Sequence, residues 1–102
     1  MDKLAPEILR EDQKAEQAGE EPPYRVIIHN DDVTPMEFVV GVLLRIFLLS
    51  GPQALQVMYT AHFHGSAYVQ TLPKPEALLR VHRAELAARL EGFPLRFTVE
   101  AE

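Results

Sequence analysis

The composition of the chain changes abruptly at Pro22-Pro23, and this change limits how much of it can fold. Residues 1–22 carry seven acidic and three basic side chains and only three large aliphatic ones. Such a segment cannot bury enough apolar surface to offset the conformational entropy lost on ordering. It is predicted to be a flexible, disordered acidic arm, or merely a solubilising tail. Residues 23–102 are long enough for one domain with one modest core.

Charge and residue content exclude several classes of partner. The net charge is -5, of which -4 lies in residues 1–22, so the remaining 80 residues are close to neutral. Nucleic-acid binding requires a basic face that neutralises phosphates, and Arg80, Arg83 and Arg89 are too few to form one. No apolar run approaches the ~18 residues that span a membrane, and the charged N-terminus is unlike a signal peptide. With no cysteine for disulfides or thiolate metal sites, we expect a cytoplasmic monomer that binds neither nucleic acid nor membranes.

The folded part begins with a strand, a polar turn and a helix. Tyr24–His29 is a β-branched run typical of a strand, and Asn30–Asp32 is a turn-forming cluster. The tetrapeptide Thr34–Glu37 carries three helix-start signals: an N-cap hydroxyl, a proline at the first helical position and a glutamate that completes a capping box. The apolar helix that follows is predicted to run to about Leu49 and to be the central helix of the core.

The rest of the chain predicts two more helices and two more strands. Helices are expected at about Pro52–His62, ended by Gly65, and at Glu76–Glu91, ended by Gly92. Strands are expected at Ala67–Leu72 and over the alternating residues Leu95–Val99. The order β-α-α-β-α-β predicts the α+β class, a compact two-layer sandwich with three helices on one face of a three-stranded antiparallel sheet.

The turn Asn30–Asp32 is the first concentration of polar groups that could bind a ligand. Asn and Asp are common in turns for conformational reasons alone, which is the simplest explanation of the cluster. Two carboxylates and a carboxamide could also hold a cation. The regularly spaced oxygen ligands of a calcium or magnesium loop are missing, so an organic cation such as an ammonium group fits better than a metal ion.

The segment His62–His64, at the end of the second predicted helix, is the next concentration. A zinc site needs three or four ligands, and nothing in the sequence places His29 or His82 beside this pair. A helix cap or a surface residue is the simpler explanation, and His62 gains significance only if it faces the polar turn.

The flexible thioethers of Met36 and Met58 fill cores or line adaptable pockets. Their positions near the turn and one helical turn before His62 favour a shared pocket.

Enzymatic activity has little support in the sequence. Ser50 and Ser66 lack a nucleophile-elbow setting, and the five glycines form no phosphate-binding loop. The adjacent Asp31 and Asp32 do not normally have the ~5–9 Å separation of paired glycosidase carboxylates. We therefore expect a protein that is not an enzyme and that uses no cofactor and no metal.

Two segments resemble the ClpS family of ATP-dependent Clp protease adaptors. The run from Tyr24 to Val39 is similar to the family signature N-D-D-x-T-P-M-E-F-V after a hydrophobic strand, and Met58–Gly65 is similar to M-x-x-V-H-x-x-G. With the closing Pro94-Leu95 strand, the resemblance covers residues 23–100. It implies an adaptor that recognises N-degrons, which are substrate N-termini beginning with Leu, Phe, Tyr or Trp. It also implies delivery of these substrates to a Clp AAA+ ATPase, of the ClpA or ClpC type, in the bacterial cytoplasm.

The resemblance further implies roles for individual residues. Three of them match the contacts to the substrate's α-amino group: Asn30, Asp32 and His62. Asp31 and the Thr34 backbone match contacts to the first peptide unit. The walls of the pocket for the first side chain are matched by Met36, Val39, Met58, Ala61 and Leu95. Met36 corresponds to a gatekeeper against β-branched first residues, and Ala61 stands where the family usually has a larger aliphatic residue. The exchange at Ala61 would deepen the pocket and favour Trp or Tyr over Leu.

Docking onto the ATPase is expected on the third helix. Arg80 matches a basic docking position of the family. The acidic docking position falls on Pro75, for which Glu76 could substitute. Residues 1–22 resemble the family's N-terminal extension, which engages the ATPase during handover of the substrate.

Two other interpretations remain open. A ribosome- or assembly-associated interaction module would use the third helix and need no pocket, so it has no reason to keep Asn30, Asp32 and His62 together. A metal-dependent hydrolase would use His62, His64 and Asp31, and a metal assay would detect it.

Overall fold

The computed structural model describes residues 22–102, in which strands and helices follow one another in the predicted order. The strands are β1 (Tyr24–His29), β2 (Ser66–Leu72) and β3 (Arg96–Ala101), and the helices are α1 (Met36–Arg45), α2 (Gly51–His64) and α3 (Lys74–Leu90). The α+β class and the β-α-α-β-α-β order are confirmed. The predicted acidic arm lies outside the described residues except for Pro22. Across residues 22–102, no helix combines the length and the apolar content needed to cross a membrane.

Strand β1 is the centre of an antiparallel sheet with the order β2-β1-β3. Val26 and Ile28 of β1 are 0% and 1% exposed, whereas the other four residues of the strand are half-buried. This alternation gives the sheet one face packed on the helices and one face that meets solvent. The register of β1 against β2 shifts between Val26 and Ile27, whereas its register against β3 is continuous.

Helix α1 starts without the predicted side-chain cap. Pro35 occupies the N-cap position, and no side chain caps the helix, so the predicted Thr34 cap and Glu37 capping box are wrong. The Thr34 hydroxyl instead donates a hydrogen bond to the Asp31 carboxylate in the preceding turn. The polar turn therefore uses the group that sequence reasoning assigned to the helix.

Helix α1 also ends at Arg45, four residues before the predicted end near Leu49. Leu48 adopts a left-handed backbone conformation with φ 59°, which stops the helix. The preceding Phe47 is fully buried, and its ring packs against Phe97 of β3 with the centroids 5.2 Å apart. The apolar pattern here reflects core packing of an irregular segment rather than a further turn of helix.

Helix α2 agrees with the prediction within two residues at each end. It begins with a capping box that was not foreseen: the Gln53 backbone N–H donates to Ser50 Oγ at 3.3 Å, and the Ser50 N–H donates to Gln53 Oε1 at 3.1 Å. Gly65 ends the helix as predicted, with a φ of 93° that a residue carrying a Cβ rarely adopts. Strand β2 begins at the very next residue.

Helix α3 packs on the sheet through small side chains. Ala77, Ala84 and Ala88 are all 0% exposed, so the helix backbone can approach the strands closely. The helix begins two residues before and ends one residue before the predicted bounds, and Gly92, with φ 82°, follows it. The packing of α3 on the sheet, together with the hydrogen bonds between the strands, holds the ends of the three strands in fixed positions.

Candidate functional site

The topology brings the polar turn and the end of α2 to the same end of the sheet, where β1 ends and β2 and β3 begin. His29, the last residue of β1, pairs with Ser66 at the start of β2 and with Arg96 at the start of β3. The residues that precede β2 and follow β1 must therefore be close. The Asn30 N–H donates to the Gly65 carbonyl at 2.9 Å. This bond fixes the polar turn beside the last helical turn of α2, where His62 and His64 lie.

The Asp31 side chain holds the turn between β1 and α1. Its Oδ1 accepts from the backbone N–H groups of Val33 at 2.8 Å and Thr34 at 2.7 Å, and its Oδ2 accepts from the Thr34 hydroxyl at 2.9 Å. Partial burial opposes ionisation of this carboxyl, but the hydrogen bonds favour the charged form, and the pKa of Asp31 lies below its ordinary value of 3.8. The carboxylate is thus charged at neutral pH and occupied with the turn itself.

The turn, α1, α2 and the residue before β3 surround a cavity of about 240 Å³. All ten residues predicted to contact a substrate line this cavity: Asn30, Asp31, Asp32, Thr34, Met36, Val39, Met58, Ala61, His62 and Leu95. Sequence reasoning missed two further lining residues, Ile28 and His29. They are the last two residues of β1, and their position directly before the polar turn was the available signal.

The lining divides into an apolar interior and a polar rim. The most buried lining side chains are apolar, each at most 9% exposed: Ile28, Val39, Met58, Ala61 and Leu95. The residues predicted to bind an amino group are exposed: Asn30, Asp32 and His62. Met36 is 41% exposed and lies at the mouth, between the two parts. An apolar hole with a few convergent polar groups at its edge is suited to a small amphiphilic ligand.

Helical spacing explains how α2 contributes to both parts of the lining. Met58, Ala61 and His62 stand at positions i, i+3 and i+4, which share one face of a helix. Met58 and Ala61 are buried at 5% and 3% exposure, whereas His62 is at the border of this face and reaches the rim. Met36, Met58 and His62 all line this cavity, as the prediction of a shared pocket requires.

The site does not have the geometry of a metal centre. Within residues 22–102, no three His, Asp or Glu side chains are grouped so that they could hold a metal ion. His64 is not among the residues that line the cavity, and the Asp31 carboxylate already accepts three hydrogen bonds. The described residues are therefore better suited to an organic ligand than to the metal ion of the hydrolase considered above.

The two residues predicted to contact an ATPase lie on α3, away from the cavity. Glu76 and Arg80 form an ion pair one helical turn apart, and the Arg80 side chain is 18% exposed. Arg80 also donates to partners inside the domain, Phe47 and Gln70. It has a structural role that the sequence did not reveal, and its role in docking stays a prediction.

Known proteins resemble this chain in both sequence and fold. Residues 19–98 match the family described as ATP-dependent Clp protease adaptor protein ClpS. Over 79 residues, the chain is 47% identical to ClpS 2 of Mesorhizobium japonicum, covering 78% of each protein. It is 46% identical over 79 residues to ClpS 1 of Rhodopseudomonas palustris, covering 78% of this chain and 77% of the relative.

A solved structure agrees with this assignment. The structure of Agrobacterium tumefaciens ClpS2 bound to L-phenylalaninamide superposes with a TM-score of 0.78 and 40% identity, covering 81% of this chain and 100% of that chain. The resemblance stated from the two sequence motifs is confirmed. The chain belongs to the ClpS family of ATP-dependent Clp protease adaptor proteins.

Proposed function

We propose that this protein is an adaptor that binds N-degrons beginning with Leu, Phe, Tyr or Trp and delivers them to a Clp AAA+ ATPase for proteolysis. The cavity carries the proposal, because its apolar interior opens directly beside exposed Asn30, Asp32 and His62. The ligand of the Agrobacterium relative, L-phenylalaninamide, combines a free amino group with an apolar side chain. A peptide N-terminus presents the same two features.

The polar rim is suited to a protonated α-amino group. Such a group has a pKa near 7.7–8.0, so most of it is charged at neutral pH, and it offers three hydrogen-bond donors. The Asn30 carboxamide oxygen, the Asp32 carboxylate and a neutral His62 ring nitrogen supply three acceptors. Asp31 already accepts three hydrogen bonds within the turn. The one acceptor site that remains on its carboxylate, together with the Thr34 backbone carbonyl, holds the first peptide unit beside them. Hydrogen bonds that involve a charged group contribute about 1.5–3 kcal/mol each.

The apolar interior selects the first side chain. Burial of a Leu or Phe side chain contributes about 1.5–3 kcal/mol, whereas a polar or very small first residue leaves the interior unfilled. Met36 at the mouth resists side chains that are branched at Cβ. After the costs of association, these contributions are consistent with a dissociation constant of micromolar order.

Acetylation of the substrate N-terminus abolishes recognition in this mechanism. The acetyl group removes the positive charge and leaves a single N–H donor. Asp32 then faces a neutral amide and loses its charged partner, and an unpaired acceptor at a partly desolvated site is unfavourable. Recognition thus depends on a free N-terminus as well as on the first side chain.

Delivery requires no chemical step by the adaptor itself. The protein acts as a monomer in the bacterial cytoplasm, and residues 23–102 form the adaptor domain. The face of α3 with Glu76 and Arg80 contacts an ATPase of the ClpA or ClpC type, and the acidic residues 1–22 engage the same ATPase during handover. No cofactor or metal takes part.

Fluorescence anisotropy with matched peptides tests the proposal. Peptides that begin with Phe, Leu, acetyl-Phe and Ala are titrated with wild-type protein and with His62→Ala. We expect micromolar or tighter binding of the Phe and Leu peptides alone, weakened by His62→Ala. Equal binding of all four peptides would reject N-degron recognition and favour the interaction module instead.

A further inference from the structure

Helix α2 carries an exposed aromatic pair outside the cavity. Tyr59 and Phe63 are one helical turn apart, and their rings stack with the centroids 6.2 Å apart and an angle of 17° between the planes. Phe63 is 72% exposed and Tyr59 is 48% exposed. Single exposed apolar residues need no explanation, but two large stacked rings that face solvent indicate a contact surface.

The aromatic pair is continuous with the rim of the cavity. The Phe63 ring packs edge-on against His62, with the ring centroids 4.9 Å apart and an angle of 76° between the planes. His62 itself lines the cavity. The aromatic surface therefore begins one ring beyond the group that we assign to the substrate's α-amino group.

We propose that Tyr59 and Phe63 form a second subsite, which receives an apolar or aromatic side chain from the second or third residue of the bound N-degron. The inference rests on the proposed function of the cavity and extends its specificity. Two residues of extended peptide span at most about 7 Å, and the side chain adds several ångströms more. Phe63 lies within that reach of an amino group held by His62.

The neighbourhood of His62 favours the substrate itself over a larger occupant. A second copy of the chain, or any folded partner, seated on Phe63 would lie beside His62 and would compete with the peptide for the mouth of the cavity that His62 lines. A peptide already bound in the cavity has no such conflict, because its own chain continues from the rim. Aromatic rings stacked or edge-on at these distances attract further apolar and aromatic groups.

Anisotropy titrations with three peptides test the subsite. The peptides begin Phe-Ser-Ser, Phe-Phe-Ser and Phe-Ser-Phe and are otherwise identical. We expect wild-type protein to bind at least one of the two peptides with a second Phe about three- to tenfold more tightly than Phe-Ser-Ser. Phe63→Ala should abolish this preference while its affinity for Phe-Ser-Ser stays within about twofold. Leu90→Ala, at a 79% exposed leucine on α3, is the matched control and should retain the full preference.

The outcomes separate the subsite from other roles of Phe63. Equal affinity of wild type for the three peptides overturns the subsite and leaves the cavity's function intact. Equal weakening of all three by Phe63→Ala means that Phe63 only orients His62, and this also overturns the subsite. A change in self-association alone, measured by light scattering, would assign the surface to a second copy. If wild-type protein binds none of the three Phe peptides, both the proposed function and this inference are overturned.

Discussion

Arg80 on α3 donates a hydrogen bond from Nη1 to the Phe47 carbonyl at 3.2 Å, joining residues 33 positions apart. The same Nη1 donates to Gln70 Oε1 at 3.1 Å, and Gln70 Nε2 donates to the Phe47 carbonyl at 3.2 Å. This network satisfies the backbone where α1 has ended and Leu48 takes its left-handed conformation. It fastens the α1–α2 connection to α3 and β2.

We expect Arg80→Ala to lower the free energy of unfolding by about 1–2 kcal/mol. The Arg80 side chain is only 18% exposed, and its removal leaves Gln70 Oε1 without this donor while the Phe47 carbonyl keeps one bond. Arg83→Ala, at an exposed arginine on the same helix, should change stability by less than about 0.5 kcal/mol. Urea denaturation of both variants makes the comparison.

This result also bears on docking. If Arg80→Ala and Arg83→Ala are equally stable, the network contributes little and Arg80 is available to a partner. If Arg80→Ala is destabilised as expected, weaker ATPase binding by this variant counts as a docking defect only at temperatures where it remains folded. Measuring unfolding and ATPase binding on the same samples separates the two effects.

The stability supplied by Asp31 should depend on pH. Because the folded-state pKa of Asp31 is lowered, its stabilisation is complete above the unfolded value of about 3.8. It is lost as the pH falls through that value towards the lower folded-state pKa. At pH 7, Asp31→Asn should be less stable than wild type by about 1 kcal/mol, since the carboxylate is partly open to solvent.

Urea denaturation at pH 7 and at pH 3 tests the effect of Asp31. The difference in unfolding free energy between wild type and Asp31→Asn should shrink at pH 3, where protonation of the carboxyl in the unfolded chain removes part of the wild-type advantage. A difference that is the same at both pH values would contradict a stabilising carboxylate. Asp32→Asn is the control for a neighbouring exposed carboxyl, and we expect it to weaken peptide binding with little effect on stability.

The order and the type of the elements could be predicted because each carries a local signal. Gly65 and Gly92 follow helices in left-handed conformations as expected, and the β-branched run at β1 becomes the central strand. The end of α1 could not be predicted in this way. Phe47 and Leu49 continue the apolar pattern, but tertiary packing of Phe47 and a non-glycine residue in a left-handed conformation stop the helix.

The composition of the site was predictable from motifs, whereas its assembly was not predictable from local physics. The turn signal at Asn30–Asp32 and the helix-end signal at His62 say nothing about the distance between them. Their proximity follows from the antiparallel pairing of His29 with Ser66 and from the bond between Asn30 and Gly65. The exposed stacking of Tyr59 and Phe63 likewise appears only in three dimensions.

Met36 should govern discrimination against first residues that are branched at Cβ. It lies at the mouth of the cavity with 41% of its surface exposed, where its flexible side chain can crowd a branched Cβ. We expect Met36→Ala to reduce the preference for a Leu-initiated over an Ile-initiated peptide by about fivefold. Leu44→Ala, at a 38% exposed leucine on the same helix, should leave this preference unchanged. An unaltered preference in Met36→Ala would remove Met36 from the gatekeeping role.

Ala61 should set the depth of the cavity and hence the ranking of first residues. It is 3% exposed and lines the interior, so the two extra methyl groups of Val would project into the space that the first side chain occupies. We expect wild type to bind Trp- and Tyr-initiated peptides more tightly than a Leu-initiated one. Ala61→Val should weaken Trp binding by about tenfold, the scale of overpacking a well-fitted apolar site.

The Leu-initiated peptide is the internal control for the Ala61 comparison. Its smaller side chain does not need the added depth, so Ala61→Val should bind it within about twofold of wild type, which shows that the rim and the fold are intact. Anisotropy titrations with Trp, Tyr and Leu peptides measure all three affinities on each protein. If wild type and Ala61→Val rank the peptides identically, the small residue at position 61 does not determine the substrate preference, and the depth of the interior must be set by Val39, Met58 and Leu95.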